Sequence, residues 1–164
     1  MKVADARFED ARFEDGQDAP LRLIAQDAEG LGIFSALLQD AVFPITAMTY
    51  AKGRRFALML NRFRWEDRTA AEAQGRAYER VRSLLVFENV LSVRTSGIDR
   101  GQTETILSLL QISFTPGAEG AGLVELILAG DGALHLAVEA VEAQLNDVTQ
   151  PYAAPSRHMP QHGD

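Results

Sequence analysis

The chain contains no cysteine. That excludes disulfides, thiolate metal sites and cysteine nucleophiles, and it fits a reducing compartment. Long apolar runs are missing too. No stretch approaches the ~18 uninterrupted apolar residues a membrane helix needs. Residues Met1 to Pro20 alternate acids and arginines without the apolar core of a signal peptide. A cytoplasmic, non-membrane protein is expected. Histidine is scarce: only His135, His158 and His162 occur. The last two stand four apart, but Pro160 breaks the helix that would bring them together. Neither a metal site nor a cofactor is expected there or elsewhere.

Catalytic signatures are also lacking. No serine sits in a G-x-S-x-G turn, and there is no P-loop. The glycine-rich Gly117–Gly122 is followed by an apolar, strand-like run rather than a helix, so it reads as a hairpin loop. Glu139 and Glu142 read as the wet side of an amphipathic element rather than an acid–base pair. His135 alternates with Leu134 and Leu136, so its side chain is expected to face solvent. The residues therefore favour no reaction class.

What the chain does have is an uneven distribution of charge. Residues 52–82 hold nine Lys or Arg against four acids, while the whole chain of 164 residues carries a net −7. Aromatics are interspersed with these arginines: Tyr50, Phe56, Phe63, Trp65 and Tyr78. A basic island on an acidic body can meet phosphates, an acidic partner, or the acidic remainder of its own fold. A dedicated nucleic-acid domain is usually basic overall, so the acidic total argues against that partner.

Residues 1–15 carry a tandem pentapeptide, Asp5-Ala-Arg-Phe-Glu followed by Asp10-Ala-Arg-Phe-Glu. Its period is too short for a repeat architecture, and the segment is expected to be mobile. Residues 16–150 read as a single globular domain, and 151–164 as an extended tail. Within the domain, Leu21–Ala25 alternates as a strand. Asp27 is placed to cap a helix whose apolar face is Leu31, Phe34, Leu37, Leu38 and Ala41. Ile45–Tyr50 and Arg55–Trp65 flank a Lys52-Gly53 turn as a hairpin. Glu66–Tyr78 reads as a polar loop with at most one helical turn. Strands are expected at Val81–Phe87, Val90–Thr95 and Ile106–Phe114. Leu123–Leu128 and Ala133–Val138 flank Gly130-Asp-Gly, a strong hairpin signal. Val138, Val141, Leu145 and Val148 fall at helical spacing and predict a short C-terminal helix. The expected fold is α+β: about eight mostly antiparallel strands in a strongly curved sheet or two packed sheets, partly open and barrel-like, with an N-terminal and a short C-terminal helix.

Alternation along Arg55–Trp65 does not hold one phase. Phe56, Leu58 and Leu60 share a face, and continuing that phase would place Arg62 and Arg64 in the core. A bulge at Asn61 would instead return Phe63 and Trp65 to the core and turn the arginines outward. Burying unpaired guanidiniums is costly, so the bulge is the expectation. Arg62, Arg64, Trp65, Arg80 and Arg82 then become candidate ligand-binding residues, provided the two strands that carry them are neighbours. The plainer alternative is that the arginines solubilise a sheet edge and pair with nearby acids.

Several strings together resemble a known bacterial family: Gln39-Asp-Ala-Val-Phe-Pro, Leu60-Asn-Arg-Phe-Arg-Trp-Glu-Asp, Glu79-Arg-Val-Arg, Leu128-Ala-Gly-Asp-Gly and Asp147-Val-Thr-Gln-Pro-Tyr-Ala-Ala-Pro. The family is the one catalogued as domain of unknown function 2948, and the resemblance spans Asp15 to His162. It implies a single-domain, cytoplasmic protein and brings no assigned activity or site residues. The resulting expectation is a non-catalytic binding or protein-interaction module with a basic–aromatic patch, taking an acidic protein partner or a second copy of itself. An enzyme acting on an anionic metabolite and a weak single-stranded nucleic-acid binder are the alternatives.

Overall fold

The computed structural model describes residues 19–154; the duplicated pentapeptide and the two C-terminal histidines lie outside them. Eleven strands belong to one sheet, which is not closed among these residues. Every strand pairing in it is antiparallel. Among the described residues no helix is long and apolar enough to cross a membrane.

β1 (Arg22–Ala25) leads into α1 (Ala28–Leu37). Asp27 caps the helix as expected, its carboxylate accepting from the Gly30 N–H at 2.8 Å. Leu31, Phe34 and Leu38 are buried on the inner face. Gly30 is required by packing, because a Cβ there would lie 2.9 Å from the Ala25 Cβ. β2 (Val42–Pro44) and a 3-10 turn (Ile45–Ala47) precede β3 (Met48–Ala51). The strand expected over Ile45–Tyr50 is thus shorter at its start.

β3 pairs with β4 (Arg55–Phe63) as the predicted hairpin. A 3-10 turn (Trp65–Asp67) and α2 (Arg68–Gln74) follow. They replace the loop expected over Glu66–Tyr78. α2 ends at Gly75, whose φ of 67° is the left-handed conformation that stops a helix.

β5 (Glu79–Phe87) lies beside β4, whereas β6 (Val90–Ser96) leaves β5 and pairs with β9 (Ala133–Val138). β7 (Ile106–Pro116) joins the two halves of the sheet. Its first residues pair with β2 and the rest with β8 (Gly122–Leu128), with a register irregularity between Leu109 and Gln111. Such an irregularity sharpens twist and helps the sheet to curve. In the β8–β9 hairpin, Gly130 and Asp131 both take positive φ, which matches the strong turn signal.

The helix expected over Val138–Val148 does not form. Residues 143–147 form β10, between β1 and β5, and Tyr152–Ala153 forms β11 against the start of β5. The inward positions of β10 are Ala143, Leu145 and Asp147. A buried acid at the third hides the two-residue alternation, leaving the accidental helical spacing as the visible pattern. The sheet thus exceeds the eight strands expected, and its second α-helix lies at 68–74.

The inner faces of both halves and α1 enclose one hydrophobic cluster. It includes Phe34 from α1, Phe43, Leu58, Leu60 and Leu85 from one half and Leu109, Val124, Leu126, Leu134 and Leu136 from the other. Each fully buried side chain of this size contributes about 1.5–3 kcal/mol.

Candidate functional site

β4 and β5 are neighbours over their whole length, with Asn61 opposite Arg82, Arg62 opposite Val81 and Phe63 opposite Arg80. The register runs without interruption from Phe56 to Phe63. There is therefore no bulge at Asn61, and the expected outward turn of Arg62 and Arg64 does not occur. Arg62 is 0% exposed and Arg64 4%.

Arg62 continues the inward phase of Phe56, Leu58 and Leu60, and the fold supplies the partners that make this tolerable. Ser83 on β5 and Asp147 on β10 are opposed in the ladder and share the inner face with it. Arg62 Nη2 donates to Asp147 Oδ2 at 3.1 Å, and Nε donates to Ser83 Oγ and Asp147 Oδ1 at 3.1 and 3.2 Å. Glu66, at the turn after β4, takes the fork's other side through Nη1 and Nη2 at 2.9 and 2.8 Å. Two bidentate carboxylates thus hold one guanidinium, a strong and directional arrangement. Burial alone would push the Arg62 guanidinium down, but hydrogen bonds and charge from Glu66 and Asp147 outweigh it and hold it above its ordinary range. Asp147 also accepts from Ser83 Oγ at 2.7 Å and from the Leu21 N–H at 2.9 Å, which ties β1 into the same node.

A second node lies beside the first. Arg64 pairs with Glu79, and its guanidinium also lies 3.6 Å from Glu66 and 3.8 Å from Asp67. Arg76, just past α2, donates to both Asp67 oxygens at 2.8 and 2.9 Å. Beside these pairs the Trp65–Tyr78 excursion covers Phe63 at the end of β4. Phe63 packs edge-on against Trp65 and Tyr78, with ring centroids 4.6 and 5.5 Å apart. The Trp65 indole N–H donates to the Gln39 carbonyl at 3.1 Å. Trp65 is held by the fold on both its polar and apolar sides.

Arg80 and Arg82 point the other way, onto the outer face. Arg80 is half-buried, donating from Nε to Asn61 Oδ1 at 2.5 Å and from Nη2 to the Asn61 carbonyl at 3.1 Å. Burial lowers its guanidinium, opposed by the Tyr152 hydroxyl and the Asp40 charge. Asn61 in turn donates to the Tyr152 hydroxyl. Arg82 is exposed. The five candidates therefore split: Arg62, Arg64 and Trp65 are built into the fold, whereas Arg80 and Arg82 sit on an outer surface.

The ladders define that surface. Ile24, Gln144, Val86, Ala57 and Thr49 form one row, Arg22, Asn146, Leu84 and Met59 the next, Arg82 and Asn61 a third, and Tyr152, Arg80 and Phe63 a fourth. No acid stands in these rows. Glu88, just beyond β5, is paired with Arg55 at 3.0 Å. Arg22, Ile24, Val148 and Tyr152 are exposed, three of them large apolar or aromatic side chains. Arg22 was missed from sequence because it lies sixty residues from Arg82 and only the β1–β10–β5 order brings the two onto one face. A separate surface hollow of about 320 Å³ near Gln26, Phe114, Pro116 and Val141 contains none of the five candidates.

The fold and surface define an open, mostly antiparallel sheet protein whose arginine island is divided between an internal ion-pair network and one outward face. The chain belongs to the family described as a protein of unknown function, DUF2948, whose match covers residues 21–162. No curated protein and no solved structure shows significant similarity to it.

Proposed function

We propose that the protein is an interaction module that takes an acidic segment of a partner protein on the outer face of the β1–β10–β5–β4 half-sheet. One observation carries this reading: a face with Arg22, Arg80 and Arg82 and no acid in its rows, on a chain of net −7. Exposed Ile24, Val148 and Tyr152 add apolar contacts beside the two exposed arginines. Arg22 and Arg82 stand roughly 12 Å apart by strand spacing, which matches about four residues of an extended acidic segment or about two turns of a helical one. Complementary charge of this kind speeds encounter and selects the partner.

The buried arginines support the same choice over a site for a small anion. Arg62 and Arg64 already hold carboxylates of the chain. An incoming anion there would have to displace partners that are in place and desolvated.

The test is fluorescence anisotropy with a labelled peptide of alternating glutamate and phenylalanine, with single-stranded RNA as comparator. Peptide binding that weakens as salt rises from about 50 to about 500 mM, and falls about tenfold or more in an Arg22→Ser/Arg82→Ser double variant, is expected. Tighter binding of the RNA would favour the nucleic-acid reading. Peptide binding indifferent to the double substitution would reject the proposed face.

A further inference from the structure

The other half of the sheet carries a serine, a histidine and a carboxylate in contact. Glu125 on β8 and His135 on β9 are directly opposed in the ladder. Ser96 ends β6, the edge strand that pairs with β9. His135 Nδ1 lies 2.6 Å from Glu125 Oε2, and its Nε2 lies 2.9 Å from Ser96 Oγ.

The two contacts use different ring nitrogens, which decides the neutral tautomer. Nδ1 carries the proton donated to the carboxylate, leaving the Nε2 lone pair to accept the serine hydroxyl. This is the relation in which a base activates a hydroxyl while a third group orients the base. The His135 side chain is 16% exposed and that of Glu125 26%. The imidazole is thus largely enclosed, although Ser96 is exposed and open to a substrate. His135 does lie on the outer side of its strand, as its alternation with Leu134 and Leu136 implies, but it faces partners there as much as solvent. Arg94 is opposite His135 in the β6–β9 ladder and is exposed, so a cation stands on the same face. After Ser96 the chain turns sharply at Gly97, with φ 67°; a Cβ there would lie 2.6 Å from the Asp131 carbonyl oxygen.

We propose that Ser96 is an activated nucleophile for acyl esters, with His135 as general base and Glu125 as its positioning residue. Ser96 Oγ attacks the acyl carbon and gives its proton to His135 Nε2. The bond from the acyl carbon to the leaving oxygen then breaks, and that oxygen takes the proton from Nε2. Water attacks the acyl-serine by the same route, releasing a carboxylic acid and restoring Ser96. Arg94 supplies positive charge beside the tetrahedral oxyanion and favours acyl groups that carry a carboxylate. The site shares no residue with the arginine face, so each reading can fail without the other.

The experiment is labelling of the intact protein with a fluorophosphonate, read by peptide mass spectrometry, where serine displaces fluoride from phosphorus. One adduct is expected, on Ser96, absent in Ser96→Ala. Its rate should fall about 100-fold or more in His135→Gln, the size of a general-base contribution, and fall in Glu125→Gln as well. Hydrolysis of mono-p-nitrophenyl succinate should exceed that of p-nitrophenyl acetate, and Arg94→Ser should remove the difference. Urea midpoints of all variants report whether they fold. A folded wild-type chain that takes no label at Ser96 would overturn the proposal, as would an undiminished labelling rate at Ser96 in folded His135→Gln.

Discussion

Asp147 Oδ2 lies 3.1 Å from Arg62 Nη2, joining β10 to β4 across β5 although 85 residues separate them in the chain. Both side chains are buried, and neither would be tolerated there without the other. Removing one partner of a buried pair leaves an uncompensated charge, which costs about 3–5 kcal/mol. Arg62→Met should therefore lower unfolding free energy by about that amount in urea denaturation. Adding Asp147→Leu to Arg62→Met should recover part of the loss, because an apolar replacement of the whole pair is often neutral. A loss in the double variant equal to the sum of the separate Arg62→Met and Asp147→Leu losses would show that the pair is not coupled.

The same pair explains where the sequence is legible and where it is not. Asp27, the apolar face Leu31–Phe34–Leu38 and the Gly130-Asp-Gly hairpin all follow local rules, and the fold obeys them. The bulge at Asn61 and the helix over Val138–Val148 fail for one shared reason. In each case an inward-facing position is charged: Arg62 on β4 and Asp147 on β10. Alternation reads a charged residue as outward. Only the long-range pairing makes an inward one tolerable, and no single strand contains that information. The Ser96–His135–Glu125 contact escapes for a related reason, since its members come from three strands.

Helix α1 offers a paired test of packing against propensity. A Cβ added at Gly32 would meet nothing within 4 Å, whereas one at Gly30 would meet Ala25 at 2.9 Å. Gly32→Ala should stabilise the protein by about 0.5–1 kcal/mol, the usual helix preference. Gly30→Ala should destabilise it despite the same intrinsic preference. Urea midpoints that move in the same direction for both would contradict the close approach of α1 to β1.

Exposed and buried arginines should separate in stability as well. Arg82 is on the surface, and Arg82→Ser should change unfolding free energy by no more than about 0.5 kcal/mol. Arg64→Ser strips a cation from Glu79 inside the second node and should cost several-fold more. Comparable effects at the two positions, measured by thermal or urea unfolding, would mean that the network contributes little.

Tyr78 provides a pH signature of the excursion that covers Phe63. Its hydrogen bond to Glu72 at 2.7 Å, with smaller effects of burial and of the Glu72 charge, raises the phenol above its ordinary 10. A raised folded-state value means that the contribution is fully present below the unfolded value near 10 and is lost as pH climbs through the folded one. Ultraviolet titration, taken as wild type minus Tyr78→Phe, should show this phenol ionising above 10, and Glu72→Gln should bring it down. An unchanged titration in Glu72→Gln would remove the assigned cause.

The arginine island of the sequence is two things in the fold: a buried network and an outward face. Arginine-selective modification of the native protein with phenylglyoxal, mapped by peptide mass spectrometry, separates them. Arg22 and Arg82 should react in the folded protein, with Arg62 and Arg64 protected until it is unfolded. Modification of Arg62 in the folded chain as fast as Arg82 would contradict this division.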